Sequence, residues 1–127
     1  MSTFLLDTSV IVDALNGKRN RKHQLGQLLS QGDVLACCSI NLAEVYAGMR
    51  PHEAASTDSF LRSLAYCEIT WESARRAGEL RYQYARLGRT LSLADTLIAA
   101  VALLHDLVLI TDNVKDYPMA GLRLRSL

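Results

Sequence analysis

The spacing of apolar residues constrains the fold of this chain more than any other feature of its sequence. Short apolar runs rich in β-branched residues alternate with longer stretches that have the period of a helix. This alternation is typical of an α/β domain built around a mostly parallel sheet. We therefore predict a three-layer domain in which helices flank a central sheet of four to five strands.

The predicted elements fill the whole chain. The strands are Thr3–Leu6, Val34–Cys38, Tyr66–Thr70 and Leu107–Thr111, with a shorter fifth strand at Leu122–Leu124. The helices are Val10–Leu15, His23–Ser30, Leu42–Met49, Ala54–Leu64, Glu72–Leu87 and Leu93–His105. A length of 127 residues, half of them hydrophobic, suits one core, and no repeat or linker divides the sequence. We expect a single domain over residues 1–127.

Cysteine and histidine usage limits the kinds of site that the chain can build. The three cysteines are odd in number, two of them are neighbours, and no pair has the spacing of a zinc site. The three histidines share no common spacing, so a histidine-rich metal site is not expected. A metal site in this chain would have to use carboxylates.

The sequence gives no sign of a membrane segment. No run reaches the roughly 18 consecutive apolar residues of a membrane span. The first strand reaches Asp7 too early for the apolar part of a secretory signal. We therefore expect a cytoplasmic protein that does not bind a membrane.

Basic residues are concentrated in one segment although the net charge is only +1. So small a charge creates no general attraction to nucleic acid, and any such binding has to be local. Lys18, Arg19, Arg21 and Lys22 form the densest basic stretch, and they could contact RNA phosphates. A solvated loop is the alternative interpretation of the same residues.

Three acids stand where strands end or helices begin. Asp7 closes the first strand, Glu44 follows the second strand, and Asp95 lies in the first turn of a later helix. The carboxyl ends of parallel strands face the ligand crevice, so these side chains should converge. Singly, each acid also fits a helix cap, Glu44 behind Asn41 and Asp95 behind Ser92. Their common edge of the sheet favours a functional role.

A fourth acid is expected after the strand that ends at Thr111. If Thr111 points into the site, side-chain alternation turns Asp112 away and Asn113 back. A helical turn would then bring Asp116 onto the face of Asn113, which makes Asp116 the preferred fourth acid. Asp112 is the alternative, because the strand could end one residue earlier. Both acids also have a purely structural interpretation: Asp112 is a common turn residue, and Asp116 could pair with Lys115 on the surface.

Converging carboxylates need a cation. They repel one another and raise one another's pKa unless a positive charge neutralises them. Oxygen-only ligands suit Mg²⁺ or Mn²⁺, which keep bound waters and also bind phosphates. The chemistry that follows is hydrolysis of a phosphodiester by a metal-activated water.

Four segments together resemble the PIN-domain nucleases, and in particular the VapC-type toxins. They are Leu5–Ser9, Asn41–Val45, Leu93–Ala99 and Thr111–Tyr117, and their order and spacing match over essentially the whole chain. The resemblance implies an Mg²⁺- or Mn²⁺-dependent endoribonuclease that forms a homodimer. It also implies inhibition by a cognate antitoxin encoded by the adjacent gene.

The resemblance also implies roles for individual residues. The family's acids map onto Asp7, Glu44 and Asp95, and Thr8 matches a position that orients acids or metal-bound waters. The full catalytic and metal-binding set that we predict is Asp7, Glu44, Asp95 and Asp116, supported by Thr8, Thr111 and Asn113. Asn113 stands where some relatives carry the fourth acid, which leaves Asp112 and Asp116 as the candidates. For the dimer, the apolar residues Phe60, Leu61 and Leu64 are the candidates.

Other protein classes fit less well. A phospho-acceptor receiver domain would need an acidic doublet after the first strand and an acid after the third, where Thr70-Trp71 stands. A haloacid-dehalogenase-like phosphatase would need an acid at Ser9. A catalytically silent binding module with the same fold remains an alternative, and RNA cleavage with and without chelator separates it from a nuclease.

Overall fold

The computed structural model describes residues 1–127, which form five strands, six α-helices and two short 3₁₀ turns. The strands are β1 (Thr3–Leu6), β2 (Val34–Cys38), β3 (Ala65–Cys67), β4 (Val108–Ile110) and β5 (Arg123–Arg125). The helices are α1 (Thr8–Leu15), α2 (Arg21–Ser30), α3 (Ser39–Gly48), α4 (Ala54–Arg62), α5 (Trp71–Arg86) and α6 (Leu93–Leu104). The 3₁₀ turns span Pro51–Glu53 and Val114–Asp116.

All five strands are parallel, in the order β3-β2-β1-β4-β5. This confirms the predicted α/β class. The chain leaves β1 for β2 on one side and later returns to pair β4 on the other side. Such a change of direction opens a crevice at the carboxyl ends of the two central strands. Asp7 and Thr111 are the residues that directly follow β1 and β4.

The sheet separates two hydrophobic cores. Phe4 and Leu6 of β1 pack into the core on the side of α1 to α4, whereas Leu5 packs into the core on the side of α5 and α6. A central strand of a parallel sheet is buried on both faces, which explains the uninterrupted apolar run before Asp7. The carboxylate therefore sits on a rigid support.

Most element boundaries differ from the prediction by one to three residues, and the side-chain hydrogen bonds explain two of the largest differences. The third strand is Ala65–Cys67 and not Tyr66–Thr70, because Thr70 instead caps α5 by accepting the N–H of Ser73 at 3.1 Å. The third helix begins at Ser39 and not at Leu42, with Cys38 as its cap.

The early start of α3 changes the position of two polar residues. Asn41 is the third residue of the helix, and its side-chain oxygen accepts the Cys38 N–H at 2.8 Å. Asn41 is therefore not the cap itself, and Glu44 lies in the second turn instead of the first. A capping role no longer explains Glu44, since only the first turn leaves backbone N–H groups open.

The apolar residues proposed for a dimer interface belong to the core. Leu61 and Leu64 are buried, and Phe60 packs against them from a partly buried position. Leu61 and Leu64 therefore supply no free apolar surface, and the argument for dimerisation from these two residues is wrong. Separately, the structure contains no helix with the length and apolar character needed to cross a bilayer.

Candidate active site

Asp7 is the most firmly held acid of the crevice. Its backbone N–H donates to the carbonyl of Ile110 at 2.9 Å, which ties the end of β1 to β4. The carboxylate accepts the Thr8 N–H at 2.9 Å, the Thr111 hydroxyl at 2.7 Å and the Tyr117 hydroxyl at 3.1 Å. A carboxylate has about four acceptor positions, so about one remains for a further ligand.

Asp95 meets Asp7 at the same hydroxyl group. Tyr117 Oη lies 3.1 Å from Asp7 Oδ1 and 3.2 Å from Asp95 Oδ1, and we call these two acids the Tyr117 pair. A phenol has one proton, so it can donate to only one of the two carboxylates at a time. While both acids are ionised, only one of the two contacts of Tyr117 Oη can be a hydrogen bond, and the other brings two oxygens together without a proton between them.

The surroundings of Asp95 and Tyr117 disfavour negative charge on these two side chains. Burial raises the pKa of Asp95, hydrogen bonds from Ser92 and Tyr117 lower it, and the charges of Asp7 and Asp116 raise it further. Burial raises the pKa of Tyr117 well above its usual range, and the two carboxylates add to that shift. The phenol therefore stays protonated, and no basic side chain hydrogen-bonds or forms an ion pair with the Tyr117 pair.

Glu44 joins the site through Thr8. The Thr8 hydroxyl donates to Glu44 Oε1 at 2.7 Å, and the same hydroxyl accepts the Asn41 side-chain N–H at 3.0 Å. Thr8 therefore contacts Asp7 through its backbone and Glu44 through its side chain. Glu44 itself is exposed at the mouth of the crevice.

The two candidates for the fourth acid have different surroundings. Asp112 accepts from Arg19 at 3.1 Å and from Arg21 at 2.5 Å, so both of its oxygens are occupied. Asp116 lies in the 3₁₀ turn close enough to raise the pKa of Asp95 by its charge. Asp112 thus pairs with the arginines, whereas the charge of Asp116 acts on Asp95.

The residues around the fourth acid are placed only partly as predicted. Thr111 points into the site and donates to Asp7, as expected. Asn113 does not turn back into it, because its side chain is exposed and only its backbone N–H contacts Thr111, at 3.0 Å. The strand has already ended at Ile110, so the alternation of side-chain direction does not extend to Asn113.

The basic segment divides into a buried and an exposed part. Arg21 is 3% exposed and bonds both Asp112 and Gln24, so it does not fit the predicted contact with RNA. A buried guanidinium requires an anion beside it, which Asp112 provides. Lys18 and Lys22 are exposed, and Arg19 is largely exposed while it bonds Asp112.

The donor set fits a hard divalent cation bound by few protein ligands. No three His, Cys, Asp or Glu side chains stand together in the arrangement that would hold a metal by themselves. Magnesium, however, is commonly held by one or two carboxylates together with waters and substrate phosphates. The Tyr117 pair offers two carboxylates with open oxygens at one point.

Two residues of the site were not assigned a role from sequence. Tyr117 lies in the last of the four segments, but its contact with Asp7 joins residues 110 positions apart. Asn41 was interpreted as a helix cap, whereas it is fully buried and bonds Thr8. The one local sign of a role for Asn41 is an amide side chain within the apolar junction between a strand and a helix. The sequence around Tyr117 carries no comparable sign of its contact with Asp7.

Comparisons with known proteins agree with this geometry. Residues 4–116 match the family described as PIN domain. Ribonuclease VapC19 of Mycobacterium tuberculosis is 33% identical over 115 residues, which cover 91% of this chain and 92% of that protein. Ribonuclease VapC10 of the same species is 35% identical over 115 residues, covering 91% and 86%.

Solved structures show the same fold. VapBC2 from Rickettsia felis bound to a promoter DNA fragment has a TM-score of 0.86 at 26% identity, covering 98% of both chains. A toxin–antitoxin complex from Klebsiella pneumoniae has a TM-score of 0.75 at 31% identity, covering 92% of both chains. Each likeness extends over more than nine-tenths of this chain.

Proposed function

Because this chain belongs to the PIN-domain family, we propose that it is the endoribonuclease toxin of a VapBC-type toxin–antitoxin pair. The relatives named as ribonucleases match it along nine-tenths of its length. Its substrate is RNA, its reaction is hydrolysis of a phosphodiester bond, and its place of action is the cytoplasm.

The Tyr117 pair is the observation that carries this proposal. Two carboxylates share a single hydroxyl, and no basic side chain bonds either of them. A pair of this kind favours a bound cation over an empty site, because a cation removes the repulsion between the acids. We propose that Asp7 and Asp95 hold Mg²⁺ or Mn²⁺ and that Glu44 and Asp116 complete the acidic set. When bound, such an ion activates a water and offsets charge on the phosphate.

The chain's own residues prepare this site for the substrate. Thr111 and the Thr8 N–H hold both oxygens of Asp7, so this acid needs little reorganisation. Glu44 is exposed, and only one of its oxygens is bonded by Thr8, which leaves the other open toward the substrate. Lys18, Arg19 and Lys22 line the surface from which phosphates of a longer RNA could be bound.

We also propose an antitoxin and a second copy of the chain as partners. Several structures of the same fold are described as VapBC complexes. An acidic crevice suits a partner segment that places a cationic side chain near the carboxylates. For the homodimer, Tyr66 and Trp71 remain exposed and are free to contact a second copy. A monomer mass by light scattering at tens of micromolar would argue against dimerisation.

Cleavage of RNA by the purified chain tests the proposed activity. We expect cleavage with Mg²⁺ or Mn²⁺, no cleavage after chelation, and recovery when metal is restored. Glu79→Gln is a matched control, since Glu79 is an exposed acid on α5 that pairs with Arg75 and contacts none of the proposed site residues. Cleavage that persists in chelator would contradict the metal-dependent mechanism.

Co-expression tests the proposed partner. The chain alone should arrest growth, and the product of the neighbouring gene should restore growth and co-purify with the chain. Binding of that partner without any RNA cleavage would instead support the catalytically silent binding module. Unaffected growth together with no co-purification would contradict the toxin assignment.

A further inference from the structure

We infer that Asn41 is a positioning residue for Glu44 and that it acts by fixing the direction of the Thr8 hydroxyl proton. The inference rests on the proposed nuclease function, because it assigns a role within that site. The residues concerned form one line of hydrogen bonds from the Cys38 backbone to the Glu44 carboxylate.

The orientation of the Asn41 amide is fixed at its buried end. Asn41 is 0% exposed, and its side chain faces the Cys38 backbone N–H at 2.8 Å. A backbone N–H can only donate, so the oxygen of the amide must lie on that side. The NH₂ group must then lie on the other side, toward Thr8.

The amide in turn fixes the hydroxyl of Thr8. Asn41 Nδ2 donates to Thr8 Oγ1 at 3.0 Å, so Thr8 accepts there and keeps its single proton for another partner. Thr8 is the first residue of α1, where the helix offers no carbonyl four residues earlier to accept this proton. The proton therefore goes to Glu44 Oε1 at 2.7 Å.

Glu44 depends on this bond for its position. Its carboxylate makes no other hydrogen bond and no ion pair, and its side chain lies on the exposed surface of α3. A long exposed side chain otherwise samples several rotamers, at a cost in entropy when it must act in one of them. The line from Asn41 holds Glu44 beside Thr8, and Thr8 also bonds Asp7 through its backbone N–H at 2.9 Å.

Variants that turn the Thr8 hydroxyl proton away from Glu44 test the inference. Asn41→Asp keeps the size of the side chain and the acceptor for Cys38. In its ionised form its second oxygen can only accept from Thr8, so cleavage is measured at a pH at which this buried acid is ionised. The Thr8 proton then leaves Glu44, and we expect RNA cleavage to fall about tenfold. Thr8→Val should lower cleavage by a similar factor, and Thr8→Ser, which keeps a hydroxyl, should recover most of that loss.

The double variant separates positioning from a general structural role. If Asn41 acts only through Thr8, Asn41→Asp should add little in the Thr8→Val background. Independent effects that multiply in the double variant would overturn the inference. Asn41→Leu is the uncharged control of similar size, and it should reduce cleavage less than Asn41→Asp because no acceptor then competes for the Thr8 proton.

Thermal unfolding of the same variants distinguishes failure of the inference from failure of the proposed function. A double-mutant cycle between Thr8→Val and Glu44→Leu, whose side chain cannot accept the Thr8 proton, should show non-additive changes in the free energy of unfolding even if the wild-type chain cleaves no RNA. Additive changes in the free energy of unfolding would show that Thr8 does not hold Glu44 and would overturn the inference. A wild type without cleavage but with coupled stabilities would reject only the nuclease function.

Discussion

Two acidic clusters lie at the same edge of the sheet and differ in how their charge is neutralised. The Tyr117 pair consists of Asp7 and Asp95, which share one phenol and no cation. The second, which we call the arginine cluster, consists of Asp13, Asp112, Arg19 and Arg21. The two clusters meet where Asp112 of the arginine cluster directly follows Thr111, whose hydroxyl bonds Asp7.

The difference identifies which acids are free for chemistry. Arginine cannot release its charge, so acids bonded to it are permanently neutralised and serve mainly to join α1, α2 and the end of β4. The acids of the Tyr117 pair have only hydroxyl and N–H donors, which cannot remove the repulsion between them. A bound metal ion could do for this pair what the arginines do for Asp112.

The largest expected difference between the clusters is in catalysis. Asp7→Asn, Glu44→Gln and Asp95→Asn should each lower RNA cleavage at least about a hundredfold. Each removes a negative charge from the set that holds the metal ion, whose stabilisation of the reacting phosphate is worth several kcal/mol. Circular dichroism should show the fold intact. Full activity in any one of the three variants would show that the substituted acid is not part of the active site.

In the arginine cluster, the main effect of neutralisation should be on stability. Asp112→Asn leaves the guanidinium of Arg21 buried without its close anion, and we expect a loss of about 3 kcal/mol in the free energy of unfolding. Urea denaturation measures it, and adding Arg21→Gln should cost less than the sum of the single effects. If Asp112→Asn keeps its stability but loses cleavage, Asp112 belongs to the catalytic set instead.

Asp116 sharpens the comparison, because it lies between Asp112 of the arginine cluster and Tyr117 in sequence. We expect Asp116→Asn to lower metal-dependent cleavage about tenfold, equivalent to about 1.4 kcal/mol. Asp112→Asn, assayed at a temperature where both variants are folded, should lower cleavage less. An inactive Asp112→Asn beside a normal Asp116→Asn would reverse the assignment of the fourth acid.

The smallest expected effect is the pH dependence of stability in chelator. The folded state raises the pKa of Asp95, chiefly by burial, so its ionised form opposes folding at pH values above that pKa. Asp95→Asn should therefore unfold at a higher temperature than wild type near pH 7. The advantage should shrink as the pH falls and vanish below about 3.9, where the acid is protonated in both states. An advantage that grows at low pH would contradict this.

Much of the fold was predictable because its signals are local. β1 and β2 lie where the apolar runs placed them, and all six helices overlap their predicted ranges. Errors occurred at ends where a side chain bonds the backbone, as with Asn41 at the start of α3 and Thr70 at the start of α5. Such bonds compete with the periodic pattern, and the pattern alone does not show which residue makes them.

The sequence by itself determined the class of the fold and the acids that its strand ends present. The spacing of apolar residues sets which segments become strands, and parallel strands end at a common edge. The sequence alone therefore predicts that Asp7, Glu44 and Asp95 lie near one another. Only the tertiary structure decided which acids are neutralised. Arg21 and Asp112 are 91 residues apart, and Tyr117 and Asp7 are 110 apart. Contacts over such separations depend on how the helices pack across the sheet, and no local pattern encodes them.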